Sequence, residues 1–158
     1  YVHISCYISI NIISLTQKRR QMSYKQKATE LYERMGRGEG MQAFDEFYHN
    51  DVVVIENPSG ETRNGKEAQR TALEGWFSMV KENHGGGVNR ITSDEENAHT
   101  MVESWMDVTF QDGNRMKMTE IAVQDWQGGQ IIREEFFYQD PTQGAQQAQS
   151  QEANAQQA

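Results

Sequence analysis

Along residues 25 to 36, Ala28, Leu31, Tyr32 and Met35 recur at helical spacing with Lys and Glu between them, and Gly36-Arg37-Gly38 ends the run. The spacing predicts a first helix there. Met41, Phe44, Phe47 and Tyr48 fall on one face of a shorter second helix over residues 40 to 48. Val52-Val53-Val54-Ile55 then reads as a strand, closed by Glu56-Asn57-Pro58-Ser59-Gly60, which has the chemistry of a turn. Leu73, Trp76, Phe77 and Val80 form the apolar stripe of a third helix, expected from about Lys66 to Asn83 and stopped by Gly85-Gly86-Gly87.

After the glycines the period shortens. Residues 88 to 94, 98 to 110, 115 to 126 and 130 to 138 read as strands, with Gln111-Asp112-Gly113-Asn114 and Gln127-Gly128-Gly129 as hairpin turns. Helix, helix, strand, helix and a four-strand meander predict an α+β domain. A curved antiparallel sheet wrapped around three N-terminal helices satisfies that order, because the meander needs only local connections and the helices need one concave apolar face. Such a cone encloses a pocket.

Both ends differ from this middle. Residues 1–21 mix isoleucine with Ser and Asn and finish on Lys18-Arg19-Arg20, and the stretch is expected to be a non-native or disordered extension ahead of a natural start at Met22. A membrane anchor is a weak alternative, because the apolar run is shorter than the roughly 20 residues a spanning helix needs and is interrupted by Asn11 and serines. Residues 140–158 are almost entirely Gln, Ala, Ser, Asn and Gly, and are expected to form a disordered tail. The folded domain is thus expected over residues 22–139, where every tryptophan and phenylalanine lies.

Charge and cysteine content narrow the partners. The net charge of −8 argues against nucleic acid and against an anionic membrane surface, both of which are bound through Lys and Arg. A single cysteine, Cys6, can form neither an internal disulfide nor a structural zinc site, which suits a cytoplasmic setting. His49, His84 and His99 are isolated, so no metal is expected, and nothing in the sequence points to a cofactor.

The order of elements, the Glu56-Asn57-Pro58-Ser59-Gly60 turn, the Gly65-Lys66-Glu67-Ala68 helix entry and the Trp126-Gln127-Gly128-Gly129-Gln130-Ile131 hairpin together resemble one known superfamily. It is the nuclear-transport-factor-2-like, SnoaL-like superfamily, which includes the ketosteroid isomerases and the SnoaL-like polyketide cyclases. The resemblance spans residues 25 to 138 and implies a cystatin-like α+β barrel. For function it implies a range, from isomerases, dehydratases, cyclases and epoxide hydrolases to binding modules and dimerisation domains.

In the ketosteroid isomerases an aspartate just before a proline moves a proton between two carbons; the matching residue here is Asn57. An amide cannot accept and return a proton at neutral pH, so that mechanism does not carry over as it stands. Glu56, one residue earlier, could serve if a bulge turned it inward, but neighbouring strand residues face opposite sides, so only one of the pair should reach the pocket. The resemblance places the family's oxyanion-hole tyrosine within one position of Tyr32, whose alternative is an ordinary core aromatic.

Two later carboxylates are further candidates. Glu120 shares a strand face with Met116, Met118 and Ala122, so a pocket acid with a raised pKa and a surface acid paired with Lys117 or Arg115 are both open. Glu134 alternates with Ile132, Phe136 and Tyr138 and is a second polar group for the pocket, beside Asn57. Trp76, Phe77, Met118 and Phe136 are the expected apolar walls. Two functions follow from this set: a pocket for a small hydrophobic molecule with acid–base chemistry through Glu120, Glu56 and Tyr32, or a non-catalytic dimerisation or interaction module whose cavity is filled by side chains. Large side chains such as Met101 and Trp105 on the outer strand faces predict a homodimer in either case.

Overall fold

The computed structural model describes residues 22–139, so the extension and the tail expected at the two ends lie outside the described residues. Three helices, α1 (Tyr24–Gly36), α2 (Gly40–Phe47) and α3 (Lys66–Met79), pack into the hollow of one curved, unclosed sheet. Its strands are β1 (Tyr48–Glu56), β2 (Glu61–Asn64), β3 (Val80–Asp94), β4 (His99–Phe110), β5 (Arg115–Gln127) and β6 (Gln130–Tyr138). In space they run β2-β1-β6-β5-β4-β3. The expected cone-like α+β architecture is present. One pair departs from the antiparallel pattern: β1 lies parallel to β6, which the long excursion through α3 and the meander between them permits.

Local chemistry explains most boundaries. Ser23 caps α1 by accepting from Gln26 N at 3.1 Å, and the Gln26 side chain accepts from Ser23 N at 3.0 Å. Glu95, in the β3–β4 turn, accepts from the backbone of Tyr24 (2.8 Å) and Lys25 (3.1 Å), so the same helix end is tied to the sheet. Ala28 and Leu31 of α1, Phe44 and Phe47 of α2, and Val52 and Val54 of β1 meet Val102, Trp126 and Ile131 in the core.

Three sequence expectations are corrected. First, α3 stops at Met79 instead of Asn83, and β3 runs straight through Gly85-Gly86-Gly87. The glycines are there for packing: a Cβ on Gly85 would lie 3.2 Å from Trp105 Cη2, and one on Gly87 3.3 Å from Trp105 Nε1. Second, β2 pairs back on β1 across the Asn57–Gly60 turn; its four polar-rich residues carry no periodicity from which it could be read. Third, Tyr48 opens β1 instead of closing the second helix.

The outer face of the sheet is uneven. Trp105 is half-buried against the glycines, with Lys117 Nζ 5.4 Å from its ring centre, whereas Met101, Ile121 and Phe137 are exposed. Among the described residues no helix is long and apolar enough to cross a membrane.

Candidate functional site

The inward-facing residues of β4, β5 and β6 are arranged in rungs. Thr100, Gln124 and Glu134 lie side by side, then Val102, Ala122 and Phe136, then Ser104, Glu120 and Tyr138, and finally Met106 beside Met118. The parallel partner β1 adds Val54 beside Glu134 and Glu56 beside Phe136. α1 and α2 fill the first rungs with core. Beyond them the filling stops, and a cavity of about 510 Å³ opens between the later rungs and α3.

Glu120, Glu56 and Tyr32 all line this cavity, as do Trp76, Phe77, Met118 and Phe136. Glu120 accepts a hydrogen bond from Ser104 Oγ at 3.2 Å, and the Tyr32 side chain lies near Ser104. Desolvation by burial pushes the Glu120 carboxyl up to about 7, with the nearby Glu56 charge adding to the rise and the Ser104 bond opposing it. Lys117 and Arg115 are elsewhere, on Trp105 and on Asp107 respectively, so Glu120 is not the surface acid that pairing with them would have made it. Burial and the charges of Glu134 and Glu120 raise Tyr32 well above its ordinary value, which keeps its hydroxyl protonated.

Glu56 faces inward without a bulge of its own, because it shares the parity of the buried Val52 and Val54. It is already engaged, accepting from Arg63 at 2.5 Å. Arg63 also meets Glu61 at 2.9 Å and donates through Nε to Gln69 at 2.6 Å. Asn57 takes the opposite parity and is exposed, donating to Glu135 at 3.3 Å. Its place as a pocket group is therefore corrected.

Glu134 is corrected too, though in the other direction. It does not line the cavity but sits one rung deeper, with no exposed surface. Tyr48 OH donates to one of its oxygens at 2.5 Å and Gln124 Nε2 to the other at 2.7 Å. Gln124 in turn accepts from Thr100 (2.7 Å), and Thr100 from Trp126 Nε1 (2.8 Å), so every member of the buried chain is satisfied. Desolvation nevertheless pushes Glu134 up to about 7. Tyr48 bridges the two sites, since its ring lines the cavity while its hydroxyl serves Glu134.

Sequence reasoning missed Tyr48, Ser104, Gln124 and Arg63. Gln124 carries a signal, because it shares strand parity with Ala122 and Trp126; Arg63 carries none, since the four residues of β2 have no apolar periodicity. Among the described residues no three His, Cys, Asp or Glu side chains are grouped to hold a metal. His84 and His99 bond instead to Thr109 (2.7 Å) and Asp125 (2.5 Å), and His49 lies 3.8 Å from Asp51.

A family model described as a SnoaL-like domain matches residues 18–138. Among solved structures, a Mesorhizobium loti protein carrying the name SnoaL-like polyketide cyclase is similar at 26% identity and a TM-score of 0.66, covering 74% of this chain and 100% of its own. A Pseudomonas putida protein named as a polyketide cyclase is 16% identical with a TM-score of 0.65, covering 75% and 92%. A Catenulispora acidiphila protein with a ketosteroid-isomerase-like fold, solved with trimethylamine, is 13% identical with a TM-score of 0.59, covering 70% and 83%. The last two likenesses speak for the fold alone. Among curated proteins none matches.

Proposed function

The chain belongs to the SnoaL-like domain family, and from that footing we propose that its cone binds a small, largely apolar molecule and presents Glu120 to it as the acid–base group. One observation carries this reading: a carboxyl raised to about 7 faces an aromatic and methionine-lined cavity in which the nearest polar groups are hydroxyls. An acid poised near neutrality can both give and take a proton, and protonated Tyr32 beside it can donate to charge developing on a ligand oxygen. Isomerisation, dehydration, cyclisation and epoxide opening can all use such a pair. Glu56 is a weaker base candidate here, because Arg63 holds its carboxylate in an ion pair. We place the protein in the cytoplasm, a setting that suits its lone cysteine.

The alternative, an interaction module with a filled cavity, is disfavoured by the open volume. Titration with 2-naphthol, followed by its fluorescence and by NMR of the Tyr32 and Trp76 side chains, tests the proposal. Saturable binding that perturbs both residues is expected. An absence of binding, or shifts confined to the outer face of the sheet, would return the domain to the interaction class.

A further inference from the structure

The charge on the cavity wall is unequal. Among the described lining residues three carboxylates, Glu56, Glu61 and Glu120, stand against one guanidinium, that of Arg63. All three nitrogens of Arg63 are taken by Glu56, Glu61 and Gln69, so it has little left for an anionic ligand. Glu120 receives nothing from it. Among the described residues no cationic side chain pairs with Glu120; α1 and β4 bring the hydroxyls of Tyr32 and Ser104 towards it, β6 places Tyr138 beside it in register, β1 adds the Glu56 charge, and α3 contributes no titratable group to the lining.

The walls around this carboxylate are aromatic. Tyr32, Tyr48, Trp76, Phe77 and Phe136 all contribute, and the face of an aromatic ring carries partial negative charge that attracts cations. Phe44 also lines the cavity, but its ring is already used by Lys66 (5.7 Å) and Arg70 (5.3 Å). A desolvated carboxylate without a counter-ion, in a cavity with aromatic walls, is matched by a cation that is itself poorly hydrated. A phosphate or carboxylate ligand would meet a wall on which carboxylates outnumber the one guanidinium, and an uncharged one would leave an ionised Glu120 without a counter-ion.

We propose that the ligand of this cavity is an amine, protonated or quaternary, carried on an apolar body, with its ammonium group seated against Glu120 and the surrounding ring faces. The assignment rests on the reading of the cavity as a ligand site and narrows it to one charge class. It has a thermodynamic signature. In the empty cavity Glu120 holds its proton up to about pH 7 under the influence of burial and Glu56, with the Glu134 carboxyl two rungs behind it. An arriving ammonium favours the ionised form, so binding below that pH expels a proton from Glu120, and affinity rises as pH rises towards it.

Three probes of one size separate the charge classes: benzyltrimethylammonium, its uncharged isostere neopentylbenzene, and 4-tert-butylbenzoate. Calorimetry on the full chain is expected to show the cation bound about ten-fold or more tighter than the isostere. Near pH 6.5, in buffers of different ionisation enthalpy, it should release up to about one proton per cation and none with the isostere. Glu120→Gln should abolish the proton release and reduce the preference to what the aromatic rings alone supply. Equal or tighter binding of the isostere or of the benzoate overturns the amine assignment and leaves the cavity reading standing. No binding of any probe overturns both. A preference that stays undiminished in a folded Glu120→Gln protein removes Glu120 as the seat, and if that variant does not fold, proton release by the unaltered chain decides alone.

Discussion

The Tyr48 hydroxyl donates to the Glu134 carboxylate at 2.5 Å, joining the first residue of β1 to the middle of β6 across the one parallel pair of the sheet. Both side chains are buried, and Gln124 supplies the other donor. Tyr48→Phe removes one of the two donors that let a carboxylate sit in the core. The variant is expected to lose about 1–3 kcal/mol of stability, more above pH 7 than at pH 5, because the ionised form suffers most from a missing donor. Urea melts at the two pH values measure this; equal losses at both would mean that only ring packing had changed.

The glycine run gives a second expectation. A Cβ on Gly86 would lie 3.2 Å from the Trp105 carbonyl oxygen, a backbone atom that cannot swing away, whereas one on Gly75, in the exposed part of α3, meets nothing within 4 Å. Gly86→Ala should therefore destabilise by about 1–2 kcal/mol. Gly75→Ala should instead stabilise by about 0.5–1 kcal/mol through helix propensity. Thermal melts of the pair check the contrast, and a neutral Gly86→Ala would show that the β3–β4 contact relaxes.

What could be read beforehand, and what could not, follows from how far each signal extends along the chain. α1 and the strands of the meander were legible because their apolar positions repeat over ten or so residues. The inward turn of Glu120 was legible as one of two options, since Met118 and Ala122 share its parity. The burial of Ile131 was not, because an extra residue, Ile132, shifts β6 against β5 between Asp125 and Trp126 and inverts the alternation on one side. The glycine run misled for a related reason: glycine stops a helix locally, but here it answers to Trp105, a contact that sequence spacing cannot reveal. Tyr48 was invisible as a site residue because its partner Glu134 is 86 positions away.

The outer face supports a third prediction. Ile121 pairs in register with Phe137 on one side and Glu103 on the other, and Met101 lies two register positions away beside Val123, so three exposed large side chains share one stretch of the outer face. We expect a homodimer through this face. Sedimentation velocity at tens of micromolar should give the dimer mass for the unaltered chain, and Ile121→Lys should weaken association by about ten-fold or more. A monomer at that concentration would mean that this patch is tolerated in water or serves another partner.

The final prediction concerns what Glu120 does to the fold. Its folded pKa of about 7 lies above the value of about 4.3 expected in the unfolded chain, so folding favours the neutral acid. The stability this group contributes is complete below about pH 4.3, declines as the unfolded chain ionises first, and has been lost by about pH 7, where the folded carboxyl ionises as well. Glutamine keeps the shape and can accept from Ser104, but carries no charge to desolvate. Glu120→Gln should therefore match the unaltered protein at pH 4 and exceed it by about 2 kcal/mol at pH 8, a figure reduced from the full shift because the side chain is not wholly enclosed. Denaturant melts across that range, with an NMR titration of the carboxyl, measure both quantities. A Glu120 that titrates near 4.3, with no gain at pH 8, would place the carboxyl in water and remove the acid–base group from the cavity.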